Sequence, residues 1–297
     1  MGDVAGSSAA PAVEEERKPA VLIIGGLGRH LAYYIHTNSL ASTLRIVDKQ
    51  LPELALLAPE HEPACKPYFL QADASRPASL ARIFDLPQEE GLEPKTEAGT
   101  AEETETQTQP PTGGEPKTPM TEDQPAPPST PPTKQKPTAP RREFDYIFNC
   151  GGETRFSQDD EVYKARSYNL SLNIGQEAAK RGIPAFIELS TCSIYTPSSP
   201  SSPAPTEYPS TPTRLKPHSK QAKWKLAAED ALRKIPGLRL TILRLPHVYG
   251  DYVGNWLGTQ LALARTYKEL GKTMKWLWSP DLRTHTVGAR ACRSWWI

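Results

Sequence analysis

Six short apolar runs, separated by stretches with helical spacing, constrain this chain more than any other feature. The runs are Ala20 to Ile24, Leu44 to Val47, Tyr68 to Leu70, Phe144 to Phe148, Ala185 to Leu189 and Leu238 to Leu243. A short apolar run without alternation fits a strand buried on both faces. The clearest helical patterns cover 159–181, where Val162, Ala165, Tyr168, Leu172 and Ile174 recur at helical spacing, and 218–234, with Trp224, Ala227, Ala228 and Leu232. Strand and helix in alternation predict an α/β protein with a doubly wound parallel sheet.

Two stretches break the alternation. Of 31 prolines, 20 fall within 87–140 and 197–217, and from Glu93 to Glu143 there is no Val, Ile, Leu, Phe, Tyr or Trp. Such sequence cannot bury enough apolar surface to offset its ordering entropy. The first, about 88–142, reads as a disordered insertion in a helix-to-strand loop. Such loops enter the sheet at its amino edge, away from where α/β sheets hold ligands. The second, about 196–217, leaves a strand at the carboxyl edge, where it would overhang a ligand. PxxP spacings in both could suit an SH3 or WW domain, but a plain proline-rich linker is the commoner case and the favoured reading. Residues 1–18, small, polar and acidic, read as a disordered leader.

The charge balance excludes several functions. Lys and Arg number 35 and Asp and Glu 34, a net charge of 35 − 34 = +1. That gives no electrostatic reason to expect nucleic acid or an anionic membrane as partner. No run of about 18 apolar residues exists, so no membrane span is expected. Cys65, Cys150, Cys192 and Cys292 are far apart and form no CxxC pair. They indicate neither a metal site nor a disulfide framework, and the expected setting is the reducing cytoplasm.

The chemistry-bearing motifs begin at the first run. It passes into Gly25-Gly26-Leu27-Gly28, and a helical pattern starts at once. The first turn of a helix offers unpaired N–H groups and a positive dipole end, and glycine lets a pyrophosphate approach them closely. The second run ends in Asp48, 23 residues beyond Gly25. An acid there accepts both ribose hydroxyls of adenosine and repels a 2′-phosphate, which favours NAD over NADP. The plain alternative is a glycine turn and a surface aspartate. The order of strand, glycines, helix, strand and acid favours the dinucleotide.

These motifs stand in sequence with Gln71-Ala72-Asp73-Ala74, Asn149-Cys150-Gly151-Gly152, Asn169, Glu188 to Tyr195 and Arg244 to Gly250. In this order they resemble the extended short-chain dehydrogenases, or NAD-dependent epimerase/dehydratase group, which includes nucleotide-sugar epimerases and 3β-hydroxysteroid dehydrogenases. The resemblance runs from about Val21 to about Val287 apart from the two insertions. It implies a Rossmann-like NAD-binding domain over 19–250 and a partial C-terminal substrate lobe over 251–297. It further implies NAD as cofactor, with Asp73 and Ala74 beside the adenine and Gly151 and Gly152 lining the cofactor. The substrate is then a small hydroxyl-bearing molecule, a nucleotide sugar or a sterol-like alcohol. Relatives often pair through the two long helices, here 159–181 and 218–234.

Three departures accompany the resemblance. The family's third phosphate-loop glycine is replaced by Leu31, and three residues look absent before it; a leucine there is expected to push the helix away from its strand. The family's catalytic Tyr-x-x-x-Lys aligns with Gln221 and Lys225, and an upstream Thr191 fills the Ser/Thr position. A tyrosine one turn from a lysine loses its proton more readily and exchanges it with a substrate hydroxyl. An amide cannot exchange one. Lys225 reads either as the ribose-binding lysine or as a solvated helix lysine beside Lys220 and Lys223. Tyr195 reads as packing or as a substitute acid/base, and Cys192 as a buried thiol rather than a nucleophile. After Val287 the chain ends in an apolar stretch without periodicity, which suggests a truncated substrate lobe. The expected activity is NAD-dependent oxidation or epimerisation; the alternatives are a catalytically silent NAD-binding sensor or partner protein, or a defective family member.

Overall fold

The sheet is built outward from β1 (Ala20–Ile24), all five residues of which are buried. β2 (Thr43–Asp48), β3 (Phe69–Gln71), β4 (Tyr146–Asn149), β5 (Ala185–Thr191) and β6 (Leu240–Leu245) complete it in the order β3-β2-β1-β4-β5-β6. Every pairing is parallel. Parallel neighbours require crossovers, which the intervening helices supply. They are α1 (Arg29–Thr37), α2 (Glu62–Cys65), α3 (Leu80–Phe84), α4 (Asp160–Tyr163), α5 (Leu170–Lys180), α6 (Lys220–Leu232) and α7 (Leu257–Glu269). A π-helical segment, Lys164–Asn169, joins α4 to α5. Beyond the sheet, β7 (His247–Tyr249) pairs in parallel with β8 (Thr286–Gly288).

The computed structural model describes residues 17–55, 57–86, 143–196, 214–253, 257–276 and 284–291. The expected leader, apart from its last two residues, and the first insertion, apart from its flanks, lie outside these, as do 197–213 of the second insertion and the tail from Cys292. The base of the second insertion is described and is paired. Thr196 donates to the Arg214 carbonyl at 3.1 Å, Lys216 donates to the Ile194 carbonyl at 2.7 Å, and Tyr195 bridges Leu215. Among the described residues no helix is long and apolar enough to cross a membrane.

Successive residues of a strand point to opposite faces, so β1 feeds two cores. Leu22 and Ile24 join Phe84, Ile147, Ile174, Phe186 and Leu232 on one side. Val21 and Ile23 join Leu31, Ile35, Phe148 and Ile187 on the other. Burial on both faces explains why β1 reads as a continuous apolar run rather than an alternating one. Helix α6 begins where the Ser219 hydroxyl accepts from the Ala222 amide at 3.1 Å, an N-cap that fixes its start. The order reverses between β1 and β4, and at such a switch point the loops beyond the carboxyl ends of the strands diverge to leave a crevice.

Candidate functional site

The crevice is a cleft of about 1130 Å³ at the carboxyl ends of β1, β2 and β4. Six of the residues singled out from sequence line it: Gly25, Asp48, Asp73, Ala74, Gly151 and Gly152. Gly25 follows β1 with φ +92°, and its amide donates to the Val47 carbonyl at 2.8 Å. A Cβ at Gly25 would lie 2.7 Å from the Gly151 backbone, so β1 and β4 approach here as only glycine permits. A Cβ on Gly26 would fill space 3.3 Å from the Arg29 guanidinium and 3.4 Å from the Asp48 carboxylate. Arg29 is held there by donating from Nε to the Gly26 carbonyl at 2.8 Å.

The expectation that Leu31 holds the helix away from its strand is corrected. Leu31 is buried in the core beside Val21 and Ile23 and does not line the cleft. The close approach is made one turn earlier, at Gly28, where an added Cβ would collide with the Ile23 side chain. The shortened loop makes a single 3-10 turn, Gly26–Gly28, so Gly28 caps α1 and takes the packing role that a third glycine fills in the longer motif.

Asp48 ends β2, and its Oδ1 accepts from the Gln50 amide at 3.0 Å. Asp73 accepts from the Ser75 amide at 3.0 Å and the Ser75 hydroxyl at 2.6 Å. Partial burial pushes the Asp73 carboxyl up, the Ser75 bonds outweigh it, and the net shift is downward. Ala74 is buried beneath it.

On the β4 side the polar groups are bound to one another. Lys225 is 8 % exposed, and its ammonium donates to the Gly151 carbonyl at 3.0 Å, the Leu189 carbonyl at 2.8 Å and Glu188 Oε1 at 3.1 Å. Those three bonds use all three of its donors. Glu188 is fully buried and also accepts from Asn149 Nδ2 at 2.6 Å and the Ser171 hydroxyl at 2.9 Å. Gly151 and Gly152 separate this network from the cleft; a Cβ on Gly152 would sit 3.4 Å from Lys225 Nζ. Gln221, in the tyrosine position, donates from Nε2 to the Glu153 carbonyl at 3.0 Å. Thr191 ends β5 and its hydroxyl oxygen accepts from the Ser193 amide at 3.1 Å. Thr191, Gln221 and Lys225 are not among the residues lining the cleft.

Tyr195 lies against Arg244, whose guanidinium stands 5.2 Å from the ring centre and donates to the phenol oxygen at 3.1 Å. Arg244 is in turn bound to the buried Glu229 at 2.6 Å. Cys192 is half-buried, and burial pushes its thiol up, away from the nucleophilic thiolate. Among the described residues no group of three or more His, Cys, Asp or Glu side chains is placed to hold a metal ion.

Two parts of the site were not anticipated from sequence. Glu153, buried on the cleft wall, accepts from Arg155 Nε and Nη2, both at 3.1 Å, and from Arg166 Nη1 at 2.6 Å. Burial pushes its carboxyl up, but the bonds from Arg155 and then Arg166 prevail and hold it at about 2. The second part is Tyr252, on the loop after β7, with φ +66°. The Ala58 amide donates to its phenol oxygen at 2.7 Å, and the same oxygen lies 3.1 Å from His61 Nδ1. Arg29 sits 4.5 Å from the centre of its ring. Glu153 follows directly on the Gly151-Gly152 pair, which was a usable signal; nothing local marks Tyr252.

Solved structures share this architecture at low identity. UDP-glucuronic acid 4-epimerase from Bacillus cereus, in complex with UDP-glucuronic acid and NAD, superposes with a TM-score of 0.57 at 13% identity, over 92% of this chain and 70% of that one. Pal from Bacillus thuringiensis gives 0.59 at 13% identity, over 93% and 71%. The Bordetella bronchiseptica enzyme WbmG, in complex with NAD and UDP, gives 0.51 at 14% identity, over 86% of this chain and 61% of that one. This chain thus spans about six- to seven-tenths of the length of these proteins, and at such identities the likeness establishes the fold. No curated protein matches the sequence. The family model described as NAD dependent epimerase/dehydratase family matches residues 133–273, with no specific support for the hydroxysteroid dehydrogenase branch. Together with the six-stranded parallel sheet and its glycine-edged cleft, that match makes residues 133–273 of the chain similar to the NAD dependent epimerase/dehydratase family.

Proposed function

We propose that the cleft binds NAD and that the chain is an epimerase/dehydratase-type oxidoreductase for a hydroxyl-bearing substrate of the nucleotide-sugar kind. The convergence of Gly25, Gly26, Asp48 and Asp73 on one cleft at the sheet's switch point carries this reading. The residues fit the cofactor. The space that a Cβ on Gly26 would fill lies between a guanidinium, suited to a pyrophosphate, and a carboxylate, suited to ribose hydroxyls. Asp48 would repel a 2′-phosphate, which selects NAD over NADP. The solved complexes of the Bacillus cereus epimerase and of WbmG, each with NAD, support the same choice.

NAD supplies a hydride acceptor when bound. This chain's own residues would bind and orient: Gly25, Gly151 and Gly152 shape the walls, Gly28 seats α1 close on Ile23, Asp48 takes the ribose, and Asp73 with Ala74 borders the adenine. Thr191 still has its hydroxyl proton to donate, because its bond to Ser193 uses the oxygen as acceptor. Lys225 would reach the nicotinamide ribose by releasing one of its three present acceptors. Two copies would pair through the faces of 159–181 and 218–234.

A second reading, a catalytically silent NAD-binding protein, is favoured by one observation. Gln221 cannot move a proton, and the Lys225 ammonium is fully engaged inside the fold. Isothermal titration with NAD, NADH and NADPH tests what both readings share. NAD should bind at least about tenfold tighter than NADPH; no binding at millimolar NAD would overturn both. Turnover of a UDP-sugar by the unaltered chain selects the first reading. Binding without turnover, with activity gained in Gln221→Tyr, selects the second.

A further inference from the structure

Two guanidinium groups on the β4 side of the cleft share one buried carboxylate. The Glu153 side chain is 6 % exposed, while Arg155 and Arg166, which grip it from separate segments, are 61 % and 40 % exposed and line the cleft. Two positive charges against one negative leave the cluster at 2 − 1 = +1. A guanidinium carries five N–H donors in a fixed plane. Arg155 commits two of them to Glu153 and Arg166 commits one, so both retain donors beside the cleft.

The anchor is itself held at the main chain. The Glu153 amide donates to the Ser167 hydroxyl at 3.1 Å, and its carbonyl accepts from Gln221 at 3.0 Å. A carboxylate fixed at both ends of its residue, and kept ionised well below neutral pH, orients the guanidinium planes before any ligand arrives. One arginine would suffice to neutralise Glu153. The second makes the cluster cationic where it meets the cleft, and a pair of oriented guanidinium groups is matched to an oxyanion.

We propose that Arg155 and Arg166, anchored on Glu153, form an oxyanion-binding subsite that takes a negatively charged group of the substrate, a carboxylate or a phosphate. The assignment to substrate rests on the reading of this cleft as the NAD site, where the glycine loop and Arg29 serve the cofactor's pyrophosphate. It places an acidic molecule, rather than a neutral alcohol or sterol, in the space beside Gly152.

The test is isothermal titration of the full chain with UDP-glucuronic acid and UDP-glucose, each with and without saturating NAD, in the unaltered protein and two variants. Arg166→Gln leaves Glu153 paired with Arg155, so it keeps the fold. Arg155→Lys keeps a cation beside Glu153 but loses the planar fork. In Arg166→Gln, UDP-glucuronic acid should bind about tenfold or more weakly, with NAD affinity unchanged. If a sugar carboxylate is the group held, UDP-glucose is unaffected; if a phosphate is, both probes weaken together. Either result supports the subsite. Probes that bind both variants as they bind the unaltered chain would overturn it, as would their failure to bind the unaltered chain at all. An equal loss of NAD affinity would also overturn it, by assigning the arginines to the cofactor's phosphates. Arginine-dependent probe binding in a chain that does not bind NAD would keep the subsite and remove only the cofactor reading.

Discussion

The two halves of the sheet treat their polar residues in opposite ways. On the β3-β2-β1 side, the Asp48 and Asp73 carboxylates meet partners close by in sequence, Gln50 for the first and Ser75 and Arg76 for the second, and they line the cleft. On the β4-β5-β6 side, Lys225, Glu188, Asn149 and Ser171 satisfy one another within the interior, and Gln221 is spent on a backbone carbonyl. The first half is arranged to receive something. The interior of the second is arranged to hold itself together, since a buried charge without a partner is costly, while Arg155 and Arg166 at its rim keep donors beside the cleft. Family resemblance transfers unevenly for this reason: Gly25, Asp48, Asp73, Ala74, Gly151 and Gly152, implied for cofactor contact, line the cleft, whereas Gly28, Lys225, Thr191 and Gln221 do not.

Substitutions that separate binding from architecture would sharpen or break this contrast. The largest effect is expected for Lys225→Ala, which leaves the carboxylate of Glu188 buried and unpaired. Stability in urea should fall by about 3–5 kcal/mol, and adding Glu188→Gln should restore part of it. If the NAD affinity of the variant, measured while it is still folded, matches that of the unaltered chain, Lys225 is an internal strut and not a ribose ligand. Gly25→Ala comes next. Its strained φ and the approach of Gly151 predict a loss of about 2–3 kcal/mol, read from the same unfolding curves.

Asp48→Asn should leave stability nearly unchanged while weakening NAD by about tenfold and narrowing the preference over NADP; titration with both nucleotides measures it. An unchanged preference would detach Asp48 from the ribose. The smallest effect concerns acid. The Glu153 carboxyl lies at about 2 in the folded chain, below its ordinary 4.5. A depressed carboxyl lends stability that is present above the ordinary value and is lost as pH falls from about 4.5 toward about 2. Unfolding midpoints across that window should drop in the unaltered chain and flatten in Glu153→Gln.

Much of the fold was legible because burial on two faces leaves a local mark. Five apolar residues before Gly25 announce β1, and Ala185 to Leu189 announces β5. The long pattern 159–181 is realised as α4, a π-turn and α5, and only the π-turn at Lys164–Asn169 has no counterpart in simple spacing. The open half of the cleft was equally readable, because a glycine loop and a strand-ending acid are themselves local patterns. Lys225 was less so. Beside Lys220 and Lys223 it has the look of a solvated lysine, yet it shares a buried face with Ala222, Ala228, Glu229 and Leu232 at helical spacing. That spacing was available as a signal. Its partner Glu188 stands 37 residues away in a strand, and no local rule joins the two. Arg155 and Arg166 meet on Glu153 from separate segments, Arg155 from the loop after β4 and Arg166 from the π-turn, 13 residues beyond Glu153. The Leu31 expectation went astray because the glycine count was taken from the longer motif, while the shortened loop moves the close approach to Gly28.

Tyr252 has a consequence for synthesis. Its phenol fastens the cleft to residues 58 and 61, which are 194 and 191 positions earlier in the chain. At translation rates of roughly 5–20 residues per second, the interval between the two segments leaving the ribosome is on the order of 10–40 s. Throughout that interval the nascent glycine loop stands beside a wall that does not yet exist, with Arg29 lacking the ring it will rest on. A dinucleotide that meets the growing polypeptide in this window finds half a receptacle, so durable loading waits for Tyr252 to emerge.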